Sequence, residues 1–179
     1  MFEDVKVICE NGNIKLVWKW DDNDLIGADI YYKKSTDKRD RGALFDMRGS
    51  TIPRKPGNIY GSVERPMGGE WGLYTFTFVG IGRSKVKPEV EVPNVMLGKK
   101  LDVFWRLEIQ KEGVVIVFPN CSKTIPEGVI RVEYDGCYMD LKYPVSSNTK
   151  LMLLKKNNTS EYKLQVKEPY DRAYNLIQC

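Results

Sequence analysis

The acidic run Asp21-Asp22-Asn23-Asp24 before Gly27 has the residue types of a calcium loop, which needs oxygen ligands at alternating positions. Counted from Asp22, the fifth position is Ile26 and the twelfth is Lys33 where a bidentate glutamate is required, so a solvated turn is the better reading. Glu89 and Glu91 are a carboxylate pair of the kind that hydrolyses glycosides, but neighbours at i and i+2 on a strand point the same way with no cleft between them. An exposed acidic face is expected. "GIGRS" from Gly80 has half of a dinucleotide fingerprint and lacks the helix that must follow. The chain contains no histidine, which removes Ser-His-Asp and Cys-His catalysis and imidazole zinc sites together. No catalytic residue, metal site or cofactor is expected, and the protein reads as non-enzymatic.

Binding chemistry has better candidates. Between Lys33 and Asn58 the sequence is basic, and Lys38, Arg39, Arg41, Arg48, Arg54 and Lys55 could grip phosphates or an acidic protein face. Asp37, Asp40 and Asp46 are interleaved and weaken that field. Three aromatic residues form a second set: Trp20 in the polar stretch "KWDDND", Tyr31 on the face opposite Ile30 and Tyr32, and Trp71 among glycines. Exposed, they could stack on sugar rings or anchor a protein; folded back, they would cap the end of a core. "NCS" at Asn120 and "NNTS" at Asn157 fit glycosylation acceptors and read more simply as hairpin turns.

The elements that must position these residues are strands. Apolar residues recur with period two: Ile14, Leu16 and Trp18; Ala28, Ile30 and Tyr32; Tyr74, Phe76 and Phe78; then Leu101, Val103, Trp105, Leu107 and Ile109. Glycine, proline, asparagine and serine separate the runs, and no amphipathic helix stands out. With 179 residues, the chain has room for two domains of about 90 residues. The expected fold is all-β: two antiparallel β-sandwich domains in tandem, residues 1–93 and 99–179, with a linker at 94–98.

The formal charge of +4 is too small for a nucleic-acid-binding stripe, and no segment has the apolar length of a membrane span, so neither nucleic acid nor membrane insertion is expected. Cys9, Cys121, Cys137 and Cys179 are widely spaced and read as isolated thiols. The acidic start without an apolar stretch favours a cytoplasmic setting, or an extracellular one if the chain is a segment of a longer secreted protein.

The two halves overlay on three landmarks. Trp18 and Phe118 each close an alternating strand, Tyr32 parallels Tyr134, and Tyr74, Phe76 and Phe78 parallel Tyr162, Leu164 and Val166. Tyr32 to Tyr74 spans 42 residues and Tyr134 to Tyr162 spans 28, so the first half carries about 14 extra residues between Lys33 and Trp71. A tryptophan ending the second strand, an apolar-x-Tyr third strand and a Tyr-x-apolar-x-apolar late strand together resemble the fibronectin type III family, repeated twice. The resemblance implies that Trp18 packs in the core and Tyr74 forms the tyrosine corner, with Phe118 and Tyr162 as counterparts. It also implies an interaction or scaffolding module that contacts another protein, here through the longer loop region. Because such domains often accompany polysaccharide-degrading enzymes, a carbohydrate-binding or accessory module is the alternative, with Trp20, Tyr31 and Trp71 as its residues.

Overall fold

The computed structural model describes residues 2–10, 12–21, 23–46, 48–49, 51–66, 71–83, 87–134, 136–154 and 162–179. Asp22 of the acidic run and Asn157 to Ser160 lie outside them. The fold is all-β, and the chain divides into two compact units, Met1–Lys99 and Lys100–Cys179.

In the first unit, β1 (Phe2–Glu10), β2 (Asn13–Trp20) and β6 (Tyr60–Pro66) form one antiparallel sheet in the order β1-β2-β6. The second sheet is built from β3 (Leu25–Lys34), β7 (Gly72–Gly82) and β8 (Glu89–Leu97), with the two-residue strands β4 (Ala43–Leu44) and β5 (Ile52–Pro53) both pairing with β3. The period-two pattern sends Ile14, Leu16 and Trp18 from the first sheet, and Ile30, Phe76 and Phe78 from the second, into one shared core. Trp18 and Phe78 meet edge to face, 5.6 Å between ring centres.

Central strand β7 is buried on both faces from Gly72 to Gly80. Tyr74, Phe76 and Phe78 fill the core side. On the other side Thr75 and Thr77 lie between taller neighbours, with Tyr31 and Glu91 directly opposite Thr77. Short hydroxyl side chains suit that narrow strip. Thr77 donates to Glu91 at 3.5 Å, and Thr75 shares a 3.1 Å hydrogen bond with Ser35.

Residues 94–97 differ from the linker expected there. They continue β8, whose register against β7 shifts between Tyr74 and Phe76, so that Pro93 and Asn94 together oppose Thr75. This bulge lets the strand pass a residue with no amide hydrogen, and Asn94 takes a left-handed φ of 56° within it.

The second unit also has two sheets. One runs β13-β10-β9-β15, from β9 (Leu101–Ile109), β10 (Gly113–Cys121), β13 (Thr149–Leu154) and β15 (Tyr174–Gln178). The other runs β12-β11-β14, from β11 (Ile130–Tyr134), β12 (Cys137–Asp140) and β14 (Tyr162–Val166). All pairings are antiparallel except β15 on β9, which is parallel from Tyr174 opposite Leu101 to Gln178 opposite Trp105. After β14 the chain turns through Tyr170–Arg172 and crosses to the other sheet. Asn120 sits at a register shift near the end of β10 and not in the hairpin turn expected of it.

The third and late strands pair antiparallel in both units, with registers that differ by two residues, but the last strands do not correspond, since β8 pairs with β7 in the first unit and β15 with β9 in the second. Tyr32 faces Phe76, whereas Tyr134 faces Tyr162 directly. A slip of two keeps every side chain on its own face, so the sequence pattern cannot register it.

Candidate functional site

The segment between Lys33 and Asn58 is laid along the free edge of β3. At its start the Asp37 amide donates to Lys34 O at 2.8 Å, turning the chain back. Asp37 then accepts from the Arg39 amide at 3.1 Å and from its Nε at 2.8 Å, and the Lys33 ammonium donates to Arg39 O. Bonded to the Arg39 guanidinium, the Asp37 carboxyl stays below the ordinary aspartate range. Arg41 lies over the ring of Tyr31, 5.3 Å from its centre. Lys38, Arg39 and Arg41 are exposed at this tip.

Next the chain is pressed against the sheet. A Cβ on Gly42 would fall 1.8 Å from Tyr32 O, so only glycine fits. Ala43 and Leu44 pair with Tyr32 and Tyr31, and the Phe45 amide donates to Ile30 O at 2.6 Å. Phe45 turns inward and is 1% exposed, edge on to Tyr32 and Phe76. From β6, the Arg65 guanidinium covers both rings, 4.4 Å from Phe45 and 4.8 Å from Tyr32, and its Nη1 donates to Phe45 O at 3.3 Å. Outside this plug a groove of about 420 Å³ is lined by Phe45, Asp46, Arg48 and residues 63–66.

The far part of the segment returns to the other end of β3. Ile52 and Pro53 pair with Ala28 and Gly27, Thr51 donates to Asp29 at 2.9 Å, and the Arg54 amide donates to Ile26 O at 2.8 Å. The Arg54 guanidinium lies 5.7 Å from the ring of Trp20, and its Nε donates to Asn58 O at 3.2 Å. Lys55 is exposed in the turn closed by Gly57.

The six basic residues therefore do not form one anion grip. Lys38, Arg39 and Arg41 sit at the Lys34 end of β3 and Arg54 and Lys55 at the Gly27 end, roughly 20 Å apart at about 3.3 Å per residue. Arg48 stands between, its amide bonded to Asp46 at 3.0 Å. What remains is a charged tip, held in shape by Asp37 and Tyr31 and fastened to the core by Phe45.

Nor are the three aromatics brought together. Trp20 continues the parity of Trp18 to the end of β2, faces Phe2, and is 4% exposed in the core; it caps, and has no free face for a ligand. Tyr31 is half-buried under Arg41. Trp71 is half-buried just before β7, and its indole N–H donates to Lys99 O at 3.0 Å. Ile14, Leu16, Trp18 and Trp20 share one face of β2, a parity that is legible in the sequence.

Glu89 and Glu91 are exposed on the outer face of β8. Among the described residues no group of three or more His, Cys, Asp or Glu side chains could hold a metal ion. Phe45 and Arg65, which organise the site, carried no sequence signal, since they act through contacts that run from 13 positions apart, Phe45 to Tyr32, to 33, Arg65 to Tyr32. No protein-family model matches this chain, and no curated protein matches it.

Proposed function

We propose that this chain is a non-catalytic protein-binding module of two fibronectin type III-like units, whose first unit presents the Lys38–Arg41 tip to a protein partner. The strand order of that unit supports the family likeness: β1-β2-β6 across a core from β3-β7-β8, with β4 outside β3. Trp18 and Tyr74 lie in the core on the second and late strands, where the likeness wants them.

The observation that carries the functional reading is the preorganisation of the tip. Three basic side chains are exposed on a loop whose backbone is fixed by Asp37 and whose next residues are plugged into the core by Phe45. A loop already ordered loses little entropy on binding, so its contacts convert more fully into affinity. The interleaved Asp37 and Asp40 suit a protein face of mixed charge better than a polyphosphate.

A photo-crosslinking residue at Lys38 tests this in native extract. One cross-linked protein is expected, lost when Lys38, Arg39 and Arg41 are all changed to Ser. Retention of that species by the triple variant would move the contact elsewhere. If no protein is captured while a polysaccharide shifts and saturates the tryptophan fluorescence, the module binds sugar.

A further inference from the structure

Three of the outer strands in the first unit's sheets are guarded against pairing with another chain. β1 bulges between Glu3 and Lys6, where Asp4 takes a left-handed φ of 49°. β8 bulges at Pro93, and β4 is only two residues long. Bulges, prolines and short strands are the devices that keep a sheet edge from templating a new strand. β6 closes the β1-β2-β6 sheet with less protection. Its register against β2 runs unbroken from Tyr60 opposite Lys19 to Pro66 opposite Asn13, and the proline stands only at that end.

The Trp20 amide donates to Ile59 O in this same register. Alternation therefore turns the backbone of Gly61, Val63 and Arg65 toward β2 and that of Tyr60, Ser62 and Glu64 away from it. Among the described residues no hydrogen bond reaches those three outward amides. Their side chains are exposed as well. Ile59 and Tyr60, 57% and 53% exposed, add apolar surface at the start of the strand. The outward carboxylate of Glu64 is already engaged, since it accepts from Asn13 at 2.9 Å and stands opposite Lys15.

We propose that the β6 edge pairs antiparallel with β6 of a second copy of this chain, about a two-fold axis at Ser62, joining two three-stranded sheets into one. Only this register uses all three outward residues: Ser62 faces Ser62, and Tyr60 faces Glu64 of the other copy on both sides of the axis. A register centred on Glu64 would set two carboxylates against each other. Side chains suit the same choice. The small serines meet at the axis, the Tyr60 phenol can donate to the facing Glu64, and half-buried Val63 comes opposite Gly61, which has no side chain to crowd it. Charge is complementary across the join. Glu3 and Lys19 are paired at 2.6 Å, so the row reads Glu3, Lys19, Tyr60, then Glu64 and Lys15 of the second copy, with alternating signs. This contact does not involve the Lys38–Arg41 tip and stands or falls without it.

A seven-residue edge buries less surface than a standard interface of about 1,200–2,000 Å², so the dimer is weak, with a dissociation constant on the order of 100 μM. Sedimentation of the full chain from about 1 μM to 1 mM tests it, with reductant present to keep the exposed Cys137 and Cys179 from joining copies. The mass is expected to rise from that of one chain toward that of two. Ser62→Pro removes an amide the unit itself does not use and should hold the chain monomeric, its fold checked by circular dichroism. Should that variant unfold, Ser62→Lys, which sets two ammonium groups at the axis, is expected to do the same. Register is read by disulfide trapping in a Cys137→Ser, Cys179→Ser background. Ser62→Cys places two thiols on residues whose Cα atoms face each other at about 5.5 Å and should give a covalent dimer at least about tenfold faster than Glu64→Cys, whose copies lie about 13 Å apart. A monomer up to about 1 mM leaves the edge to the strand of some other protein and overturns the proposal. So does a dimer that survives a folded Ser62→Pro or Ser62→Lys, since its contact lies elsewhere, and so do equal trapping rates.

Discussion

Gly61 on β6 faces the indole of Trp18 so closely that a Cβ there would lie 2.2 Å from the ring. The Gly61→Ala variant should therefore lose about 1–3 kcal/mol in a denaturant titration, through overpacking alone. Phe45→Ala should cost more, about 3–5 kcal/mol, because it empties the plug and leaves Arg65 over a void. The two variants separate a tight contact from a large one. Thiol chemistry is also set residue by residue: burial pushes the Cys9 and Cys121 thiols up, while Cys137 and Cys179 are exposed. Alkylation of the native chain, followed by mass spectrometry, should modify Cys137 and Cys179 first. At this scale sequence reading went furthest where parity was followed. It placed Ile14, Leu16 and Trp18 correctly and stopped one step short of Trp20. It had no means of finding Gly61, whose meaning lies in a neighbour 43 positions away.

The strands themselves were legible because each buries one face and so alternates. What alternation hides is anything that leaves the face unchanged: the two-residue slip between the halves, the bulge at Pro93, and the double burial of β7, whose threonines look like an exposed row. The longer loop region was located by counting, yet its division into β4, β5 and a buried plug depends on which carbonyls of β3 are free. Charge couples elements in the second unit. Asp140 on β12 is bonded by Lys167 at 2.6 Å and by Arg131 of β11 at 3.2 Å, and the Lys167 ammonium chiefly holds its carboxyl below the ordinary range. A carboxyl whose folded pKa is depressed stabilises the fold above its unfolded pKa and loses that contribution as pH falls through the folded value. Acid titration of thermal stability should thus show a decline below about pH 4 that Asp140→Asn flattens, and an unchanged profile in that variant would mean the links carry no net stability.

For the whole molecule, the division at Lys99 and Lys100 means that each unit draws on its own residues for its sheets. A chain ended after Ala173 loses β15 and strips five ladder positions from β9. Circular dichroism should then show the second unit's transition weakened or gone, with the transition of the first unit retained. The parallel pairing of β15 with β9 has a further consequence for the order of events during synthesis. Every strand partner of the first unit has been made once residue 97 leaves the ribosome, so that unit can close while the rest is still being translated. The second cannot: β9 is among its first residues made, and its outer edge waits for a partner roughly 70 positions later. At the usual rate of about 5–20 residues per second that edge stays open for several seconds. A nascent chain of this protein passes through a state with one finished unit and one unguarded strand, and it is there that chaperones or neighbouring chains would first find it.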